Sequence, residues 1–389
     1  MTSPRKSTRR DFLRGRAAVD ALQSLVDSGD PALPAPTAAR ADAAAASYLM
    51  QISRRAMATD FEIYLNAGKH GRATEAALRA LDLVEVLEAQ MTVYQPHSEV
   101  MDINRRGADG PVAVEGRLFE ILHLAVQLSR ETNGAFDVTA GPLSKTWGFY
   151  RREGRLPDPE ALQQALARVG YRWLELDEGR HTLHFLQRGV EINLNSLGKG
   201  YALDRCAELL RKAGVEDFLV HGGQSSVLAG GSRSADEAQP RGWSVALRHP
   251  LKSTQRLAEI WLRDRALGTS GSGVQFFHHQ GRRYGHVLDP RTGWPAEGVL
   301  SATVLAPNAA LADGLATACF VMGPEETRQY CLRHPDVAAI LVCPGSRSGS
   351  LDIQTYGLTD DDWQRLDIPA ADRNPSDPNP DPPTRDVPP

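Results

Sequence analysis

The residues best suited to chemistry lie in four short segments that combine polar side chains with glycines, a composition that is unusual for a hydrophobic core. The first, residues 193–200, reads Asn-Leu-Asn-Ser-Leu-Gly-Lys-Gly and is expected at a strand end that turns into a helix. Glycines let a ligand approach the backbone, a helix N-terminus offers unpaired N–H groups, and Lys199 adds a cation. These features suit a phosphate or pyrophosphate. The spacing is that of neither the P-loop nor the dinucleotide fingerprint, and a structural turn with a surface lysine explains it equally well.

The second segment, residues 284–295, contains the turn sequence Asp-Pro-Arg-Thr-Gly. We expect His286 to lie on the strand that enters this turn. Its ordinary pKa is close to neutrality, so it has the chemistry of a general base. Taken alone, the residue type favours a hydrogen-bonded structural histidine.

The third and fourth segments each place a carboxylate beside another functional group. Asp313 and Thr317 are four residues apart on an apolar helix, so a carboxylate and a hydroxyl project from one face and suit a hard cation. A capping aspartate with a threonine bonded to the preceding turn is the alternative. In residues 134–142, a small-residue turn places Phe136 next to Asp137, and a plain loop explains this segment without further context.

The elements that must position these segments follow from apolar periodicity and turn residues. Helices are predicted over residues 73–90, 118–131, 159–169, 201–213 and 309–322. Strands are predicted over residues 61–65, 182–185, 189–194, 218–220, 243–247, 258–262, 301–306 and 339–342. Because strands and helices are mixed without a regular βαβ alternation, we expect an α+β fold, a single large domain with mixed or antiparallel sheets packed by helices.

The chain divides into three parts by composition. Residues 1–48 combine a twin-arginine-like start (Ser-Thr-Arg-Arg-Asp-Phe-Leu) with a short amphipathic helix and a Pro/Ala-rich tether. The apolar stretch that an export signal requires is interrupted by charges, so a cytoplasmic location is slightly favoured over export. Residues 49–367 form the folded domain. Residues 368–389 are rich in Pro and Asp and are predicted to be a disordered tail.

Composition excludes several other functional classes. The 389 residues contain 44 Lys+Arg against 48 Asp+Glu, a net charge of −4, so the chain lacks the basic field that nucleic acid binding requires. No stretch approaches the ~20 apolar residues of a transmembrane helix. The four cysteines lie between residues 206 and 343 without metal-ligand spacing, and we expect buried free thiols. None lies near the N-terminus, so a lipoprotein is not expected.

Taken together and in this order, the four segments resemble the FAD:protein FMN transferase family, the ApbE-like flavin transferases. The resemblance covers residues 57–323. Further agreements are Met57-Ala58-Thr59, Met91-Thr92-Val93-Tyr94, Ser98-Glu99-Val100, Asn104, Trp147-Gly148-Phe149, Gly268-Thr269-Ser270-Gly271 and Ala312-Asp313-Gly314-Leu315-Ala316-Thr317. No single motif is decisive, whereas the ordered set is highly specific.

The resemblance implies a magnesium-dependent enzyme that cleaves the pyrophosphate of FAD, attaches FMN through a phosphoester to a Ser or Thr of an acceptor flavoprotein, and releases AMP. It implies that His286 is the base that activates the acceptor hydroxyl. It implies Mg²⁺ ligands at Asp313 and Thr317 with an oxygen of Ser196. The implied FAD contacts are Met57, Tyr94, Ala135, Phe136, Asp137, Asn193, Lys199 and Val287.

The chain departs from the family pattern at three places. Asn193 stands where the family usually has Asp, Asn195-Ser196 where a Gly-Gly pair is common, and Gln224 follows Gly222-Gly223 where Asp is typical. Each change removes a carboxylate or adds bulk near the expected flavin site. Two alternatives therefore accompany the transferase: a non-catalytic FAD-binding module, and an FAD pyrophosphatase that yields FMN and AMP.

Overall fold

The computed structural model describes residues 49–66, 72–233, 241–252, 254–273, 275–347 and 349–366. The predictions for residues 1–48 and 368–389 lie outside these ranges. Within them, none of the helices has both the length and the apolar character needed to cross a bilayer.

The described residues form helices and antiparallel strands in mixed order. The helices are α1 (Ala73–Met91), α2 (Glu99–Arg106), α3 (Gly116–Glu131), α4 (Gly141–Thr146), α5 (Pro159–Leu166), α6 (Gly198–Lys212) and α7 (Ala309–Arg333). The strands are β1 (Leu49–Ala56), β2 (Thr59–Asn66), β3 (Val112–Ala113), β4 (Leu174–Asp177), β5 (Thr182–Phe185), β6 (Phe218–Gly222), β7 (Ser226–Gly230), β8 (Trp243–Arg248), β9 (Arg256–Leu262), β10 (Arg265–Gly271), β11 (Phe276–His279), β12 (Arg282–Gly285), β13 (Ser301–Ala306), β14 (Ala338–Pro344), β15 (Leu351–Tyr356) and β16 (Trp363–Arg365).

An eight-stranded antiparallel sheet in the order β1-β2-β6-β7-β10-β13-β14-β15 organises the molecule. Successive residues of a strand point to opposite faces, so each central strand contributes side chains to two hydrophobic cores. In β13, Ala302 and Val304 join the core beneath the helices, whereas Leu305 joins a second core. That second core lies against the three-stranded sheet β16-β9-β8, to which Trp243 and Ile260 belong. The predicted α+β class with antiparallel sheets is confirmed.

Two element predictions were wrong, and both lie next to the first polar segment. Residues 189–194 are not a strand. The Asn104 side chain accepts from Ile192 N–H at 2.7 Å and donates to Ile192 O at 2.9 Å, and Asn193 N–H donates to Val138 O at 2.8 Å. These bonds satisfy backbone groups that would otherwise pair with a neighbouring strand. The next helix begins at Gly198 rather than at residue 201, so Lys199 lies in its first turn and not in a preceding loop.

Smaller differences concern element ends. The helix predicted over residues 159–169 ends at Leu166, and His286 lies just beyond β12, which ends at Gly285. The predicted stop at Gly323 is confirmed, since this residue interrupts α7 with a φ of 71° and Pro324 follows it. All four cysteines are buried and free, as predicted.

Candidate active site

A cavity of about 460 Å³ opens where the four polar segments meet. Its lining comes from the turn after α1, the loop between α3 and α4, the start of α6, the end of β10 and the segment after β12. Ten of the twelve predicted site residues line it: Tyr94, Ala135, Phe136, Asp137, Asn193, Ser196, Lys199, His286, Val287 and Thr317. Tertiary packing therefore brings together segments that are more than 200 residues apart in the sequence, from Tyr94 to Thr317.

Asp313 does not line the cavity but lies buried beside it, on α7. Its Oδ2 accepts hydrogen bonds from Gly200 N–H at 2.8 Å and from the Ser226 hydroxyl at 2.9 Å. Burial raises the pKa of this carboxyl to about 6, while the Lys199 charge and the two hydrogen bonds act in the opposite direction. The carboxylate thus caps the first turn of α6, which has no side-chain cap of its own.

Asp204, on α6, caps the first turn of α7 in the same way. Its two carboxylate oxygens accept from Ala309 N–H at 2.7 Å and from Ala310 N–H at 2.9 Å. Burial raises its pKa to about 6 against the effect of these two bonds. The helices are in such close contact here that a Cβ on Gly200 would lie 2.0 Å from Ala309 O. Each helix therefore supplies a carboxylate to the N-terminus of the other, and this pair of contacts sets the position of Asp313.

Hydroxyl side chains line the cavity where it meets α7. Thr317 Oγ1 lies 3.0 Å from Ser270 Oγ, and Ser196 also lines the cavity. Both hydrogen bonds that the described residues donate to the Asp313 carboxylate go to Oδ2, and its Oδ1 receives none from them. Carboxylate and hydroxyl oxygens are ligands for a hard divalent cation. No cluster of three or more His, Cys, Asp or Glu occurs among the described residues, so these side chains fit an ion that keeps waters and substrate oxygens in its shell.

His286 lines the cavity from the segment that follows β12. Its Nδ1 lies 3.1 Å from Gln275 O, and since a carbonyl only accepts, Nδ1 carries the proton and Nε2 keeps its lone pair. Burial lowers the pKa of this imidazole below its usual 6.5, against the effect of the Gln275 bond. The Phe149 ring meets it edge-on, with centroids 6.5 Å apart. His286 is therefore held in the neutral, proton-accepting form at neutral pH.

A pair of stacked tyrosines forms the aromatic part of the lining. The Tyr94 and Tyr150 rings stack with centroids 5.1 Å apart and planes 27° apart. The Tyr150 hydroxyl donates to Val93 O at 2.8 Å, and Asn195 Nδ2 donates to the Tyr94 hydroxyl at 3.1 Å. Tyr94 is 58% exposed, so its ring offers a flat apolar surface to a planar ligand.

Two polar residues of the lining hold local turns with their side chains. Asp137 accepts from Thr139 N–H and its hydroxyl, at 2.9 and 2.6 Å, and from Tyr171 N–H at 2.7 Å. Burial raises its pKa, with those bonds opposing. Asn193 Oδ1 accepts from Asn195 N–H at 3.0 Å, a bond that an aspartate would make in the same way. Asparagine at position 193 therefore preserves the turn.

Met57 and Gln224 lie apart from the cavity lining. Met57 occupies the β1–β2 turn with a φ of 49° and packs against the larger core. Gln224 is exposed in the β6–β7 turn. The role predicted for Met57 stays a prediction, and the bulk added at Gln224 does not enter the cavity.

Sequence reasoning singled out the Asp313 helix but missed what holds it. Ser226, Gly200 and Asp204 contact it from two other elements. The only local signal was the i, i+4 spacing of Gly200 and Asp204, which places both on one face of α6.

Comparison with known protein families identifies one that covers most of the chain. The model of the ApbE family matches residues 57–341. Among curated proteins, the FAD:protein FMN transferase of Treponema pallidum is 33% identical over 276 residues, covering 68% of this chain and 76% of that protein. The protein of the same name from Haemophilus influenzae is 31% identical over 288 residues, with 72% and 82% covered.

Solved structures show the same architecture. The ApbE protein of Thermotoga maritima superposes with a TM-score of 0.69 at 28% identity, covering 78% of this chain and 96% of that one. The flavin transferase ApbE of Vibrio cholerae gives a TM-score of 0.69 at 26% identity, covering 80% of this chain and 97% of that one.

Proposed function

The chain belongs to the ApbE family, and from this premise we propose that it is a magnesium-dependent FAD:protein FMN transferase. It cleaves the FAD pyrophosphate, joins FMN to a serine or threonine of an acceptor protein through a phosphoester, and releases AMP. One observation carries the proposal: a single cavity is lined by His286, Lys199 and Thr317 and lies against the buried carboxylate of Asp313.

The start of α6 suits the pyrophosphate. Lys199 in the first turn of α6 lines the cavity and supplies a full positive charge, whereas the Gly198 and Gly200 N–H groups are already bonded to Leu194 O and to Asp313 Oδ2. Phosphoryl transfer depends on positioning and on neutralising charge more than on covalent help. Asp313 and Thr317, with an oxygen of Ser196, would hold Mg²⁺, which supplies further neutralisation of the phosphate oxygens when bound. The stacked Tyr94 ring offers a surface for one of the two ring systems of FAD.

His286 provides the base. The acceptor hydroxyl gives its proton to Nε2 as its oxygen bonds to the phosphorus of the FMN half. The bond from that phosphorus to the AMP oxygen breaks, and AMP leaves with the pair of electrons. The Gln275 carbonyl, which holds the Nδ1 proton, keeps Nε2 in the accepting form.

The experiment is a mass measurement on an acceptor. We would mix the protein with FAD, Mg²⁺ and a threonine-containing peptide fused to a carrier, with and without EDTA. The proposal expects an FMN-sized increase in carrier mass that EDTA abolishes. In His286→Ala the increase should be lost while FAD still binds. Free FMN and AMP without labelled carrier would instead indicate the pyrophosphatase, and recovery of intact FAD in yellow protein the binding module.

A further inference from the structure

The side chain of Ser226 is buried against the carboxylate of Asp313. Ser226 is the first residue of β7, is fully inaccessible to solvent, and its hydroxyl donates to Asp313 Oδ2 at 2.9 Å. Gly200 N–H, from the first turn of α6, donates to the same oxygen at 2.8 Å. A strand and a helix that lie far from α7 in the sequence therefore set the orientation of this carboxylate.

Glycines flank Ser226 on both neighbouring strands. Ser226 pairs with Gly222 of β6 and with Gly268 of β10. A Cβ on Gly268 would lie 2.4 Å from Ala312 O, so α7 lies directly against the sheet beside Ser226. Serine is the smallest residue that carries a hydroxyl, and at this distance between helix and sheet it reaches Asp313. The contact is therefore part of the packing of α7 on the sheet.

Ser226 and Gly200 make the two oxygens of the Asp313 carboxylate unequal. An ionised carboxylate has about four lone-pair sites, two on each oxygen. The two donors occupy those of Oδ2, whereas Oδ1 receives no hydrogen bond from the described residues. A cation that binds Asp313 would therefore use Oδ1 alone, because binding through both oxygens would first break a charge-assisted hydrogen bond in a buried place.

Mg²⁺ and Ca²⁺ place different demands on a carboxylate. Mg²⁺ favours near-octahedral geometry, keeps several waters and takes one or two carboxylates. Ca²⁺ takes about six to eight oxygens and often binds both oxygens of one carboxylate. The other proposed ligands, Ser196 and Thr317, supply one oxygen each. A carboxylate restricted to one oxygen therefore satisfies Mg²⁺ and leaves Ca²⁺ short of a ligand.

We propose that Ser226 is a positioning residue that makes the site selective for Mg²⁺ over Ca²⁺, because its hydrogen bond occupies Asp313 Oδ2 and leaves Oδ1 for the ion. The inference rests on the proposed function, in which Asp313 holds Mg²⁺. The resemblance to the family implied no role for Ser226, which lies two residues after Gln224, where the chain departs from the family pattern. Ser226 acts on the ion through Asp313.

Cation binding to the full-length protein tests the proposal without a transfer reaction. Mn²⁺, which also suits octahedral oxygen sites, is titrated into protein with saturating FAD and no acceptor, and electron paramagnetic resonance measures the free ion. Mg²⁺ and Ca²⁺ then displace it, which gives a Kd for each. A protein-free blank corrects for cation bound by FAD itself.

We expect Ser226→Ala to weaken Mg²⁺ binding about tenfold, the loss that typically follows removal of an outer partner of a metal ligand. Ca²⁺ should lose less, because the freed Oδ2 can become a second ligand. The ratio of the Kd for Ca²⁺ to the Kd for Mg²⁺ should therefore fall at least about fivefold. Ser226→Cys keeps the shape of the side chain with a weaker donor and should give a ratio between those of wild type and Ser226→Ala.

Ser129→Ala is the matched control. Ser129 is likewise fully buried, and its hydroxyl donates to Ala125 O at 2.8 Å within α3. This variant should keep the wild-type ratio of the two Kd values. A denaturant titration of all variants measures what the buried hydroxyls contribute to folding. If Ser226→Ala lowers the free energy of unfolding but keeps the wild-type ratio, Ser226 has a structural role alone and the inference is wrong.

Asp313→Ala separates failure of the inference from failure of the proposed function. If this variant binds Mn²⁺ as tightly as wild type, Asp313 is not the ligand and both proposals are wrong about the metal. If Asp313→Ala binds Mn²⁺ more weakly while Ser226→Ala keeps the ratio, only the inference is wrong. If no acceptor is labelled in the mass measurement but the ratio falls as expected, the transfer reaction is wrong and the inference is supported.

Discussion

The two sides of the candidate active site are held in different ways. The side that carries Asp313 is a helix–helix contact in which Gly200 touches Ala309 and each helix supplies a carboxylate to the other. The side that carries His286 is a connecting segment beside a hairpin. The imidazole ring makes one hydrogen bond, from Nδ1 to Gln275 O, and backbone bonds such as Ala296 N–H to Val287 O at 2.9 Å hold the segment. Lys199, Asp313 and Thr317, which we propose handle the charge of the substrate, therefore lie on packed helices, whereas the proposed base His286 lies on a connecting segment.

Replacing Gly200 with alanine would test the rigid side most severely. Alanine at an internal helix position favours the helix by about 1 kcal/mol, but here its Cβ would overlap a backbone carbonyl that cannot move without displacing α7. We expect a loss of more than about 4 kcal/mol in the free energy of unfolding, measured by denaturant titration. Gly116→Ala at the start of α3 is the control, since nothing lies within 4 Å of its Cβ position. Unchanged stability of Gly200→Ala would show that the helix contact is looser than described.

His286→Ala addresses the other side and should leave the fold intact. Removal of a general base costs about 10²–10⁴-fold in rate. We expect transfer to fall by this factor, while the unfolding midpoint changes little because the ring makes a single hydrogen bond. Rapid-quench measurement of AMP release gives the rate, and flavin fluorescence gives FAD affinity. Transfer that survives in this variant would place the base elsewhere.

Asp204→Asn would sharpen the comparison through the pH dependence of stability. Because burial raises the Asp204 pKa from 3.8 to about 6, the folded state binds this proton more tightly than the unfolded state. Its contribution to stability is therefore complete below pH 4 and is lost as pH rises through 6. Asparagine removes this contribution, so the stability difference between wild type and variant should be larger at pH 4.5 than at pH 7.5, by about 1–3 kcal/mol. A difference that is constant with pH would mean that Asp204 titrates normally.

The smallest expected effect is the position of the acid limb of the pH–rate profile. Burial disfavours the imidazolium and lowers the pKa of His286 below its ordinary 6.5, so the ring stays neutral at pH values somewhat below 6.5. The rate of transfer should therefore remain on its plateau below pH 6.5 and decline only at lower pH. His286→Gln should lack this limb. An acid limb above pH 6.5 in wild-type protein would contradict the assigned environment of the ring.

Much of the site was predictable from local patterns. The i, i+4 pair Asp313 and Thr317, the base candidate His286 and the cationic start of α6 at Lys199 all carry local signals, and the structure brings them to one cavity or its edge. The strand predicted over residues 189–194 failed because its bonding partner is the Asn104 side chain, almost 90 residues earlier. Periodicity identifies which residues are apolar, not which group accepts a given N–H.

The sequence by itself determined the class of the fold, the approximate positions of the five predicted helices, and the side chains available for chemistry, because these depend on residue type and near-neighbour spacing. The tertiary structure alone decided that Asp204 and Asp313 cap each other's helices and that Gln275, whose carbonyl accepts from His286 Nδ1, is itself bonded to Phe149 O. The helix caps and the Gln275 bond to Phe149 join residues 105–126 positions apart. Burial and opposing contacts set the pKa values of the buried carboxyls and of the imidazole, and such an environment exists only after the chain has folded.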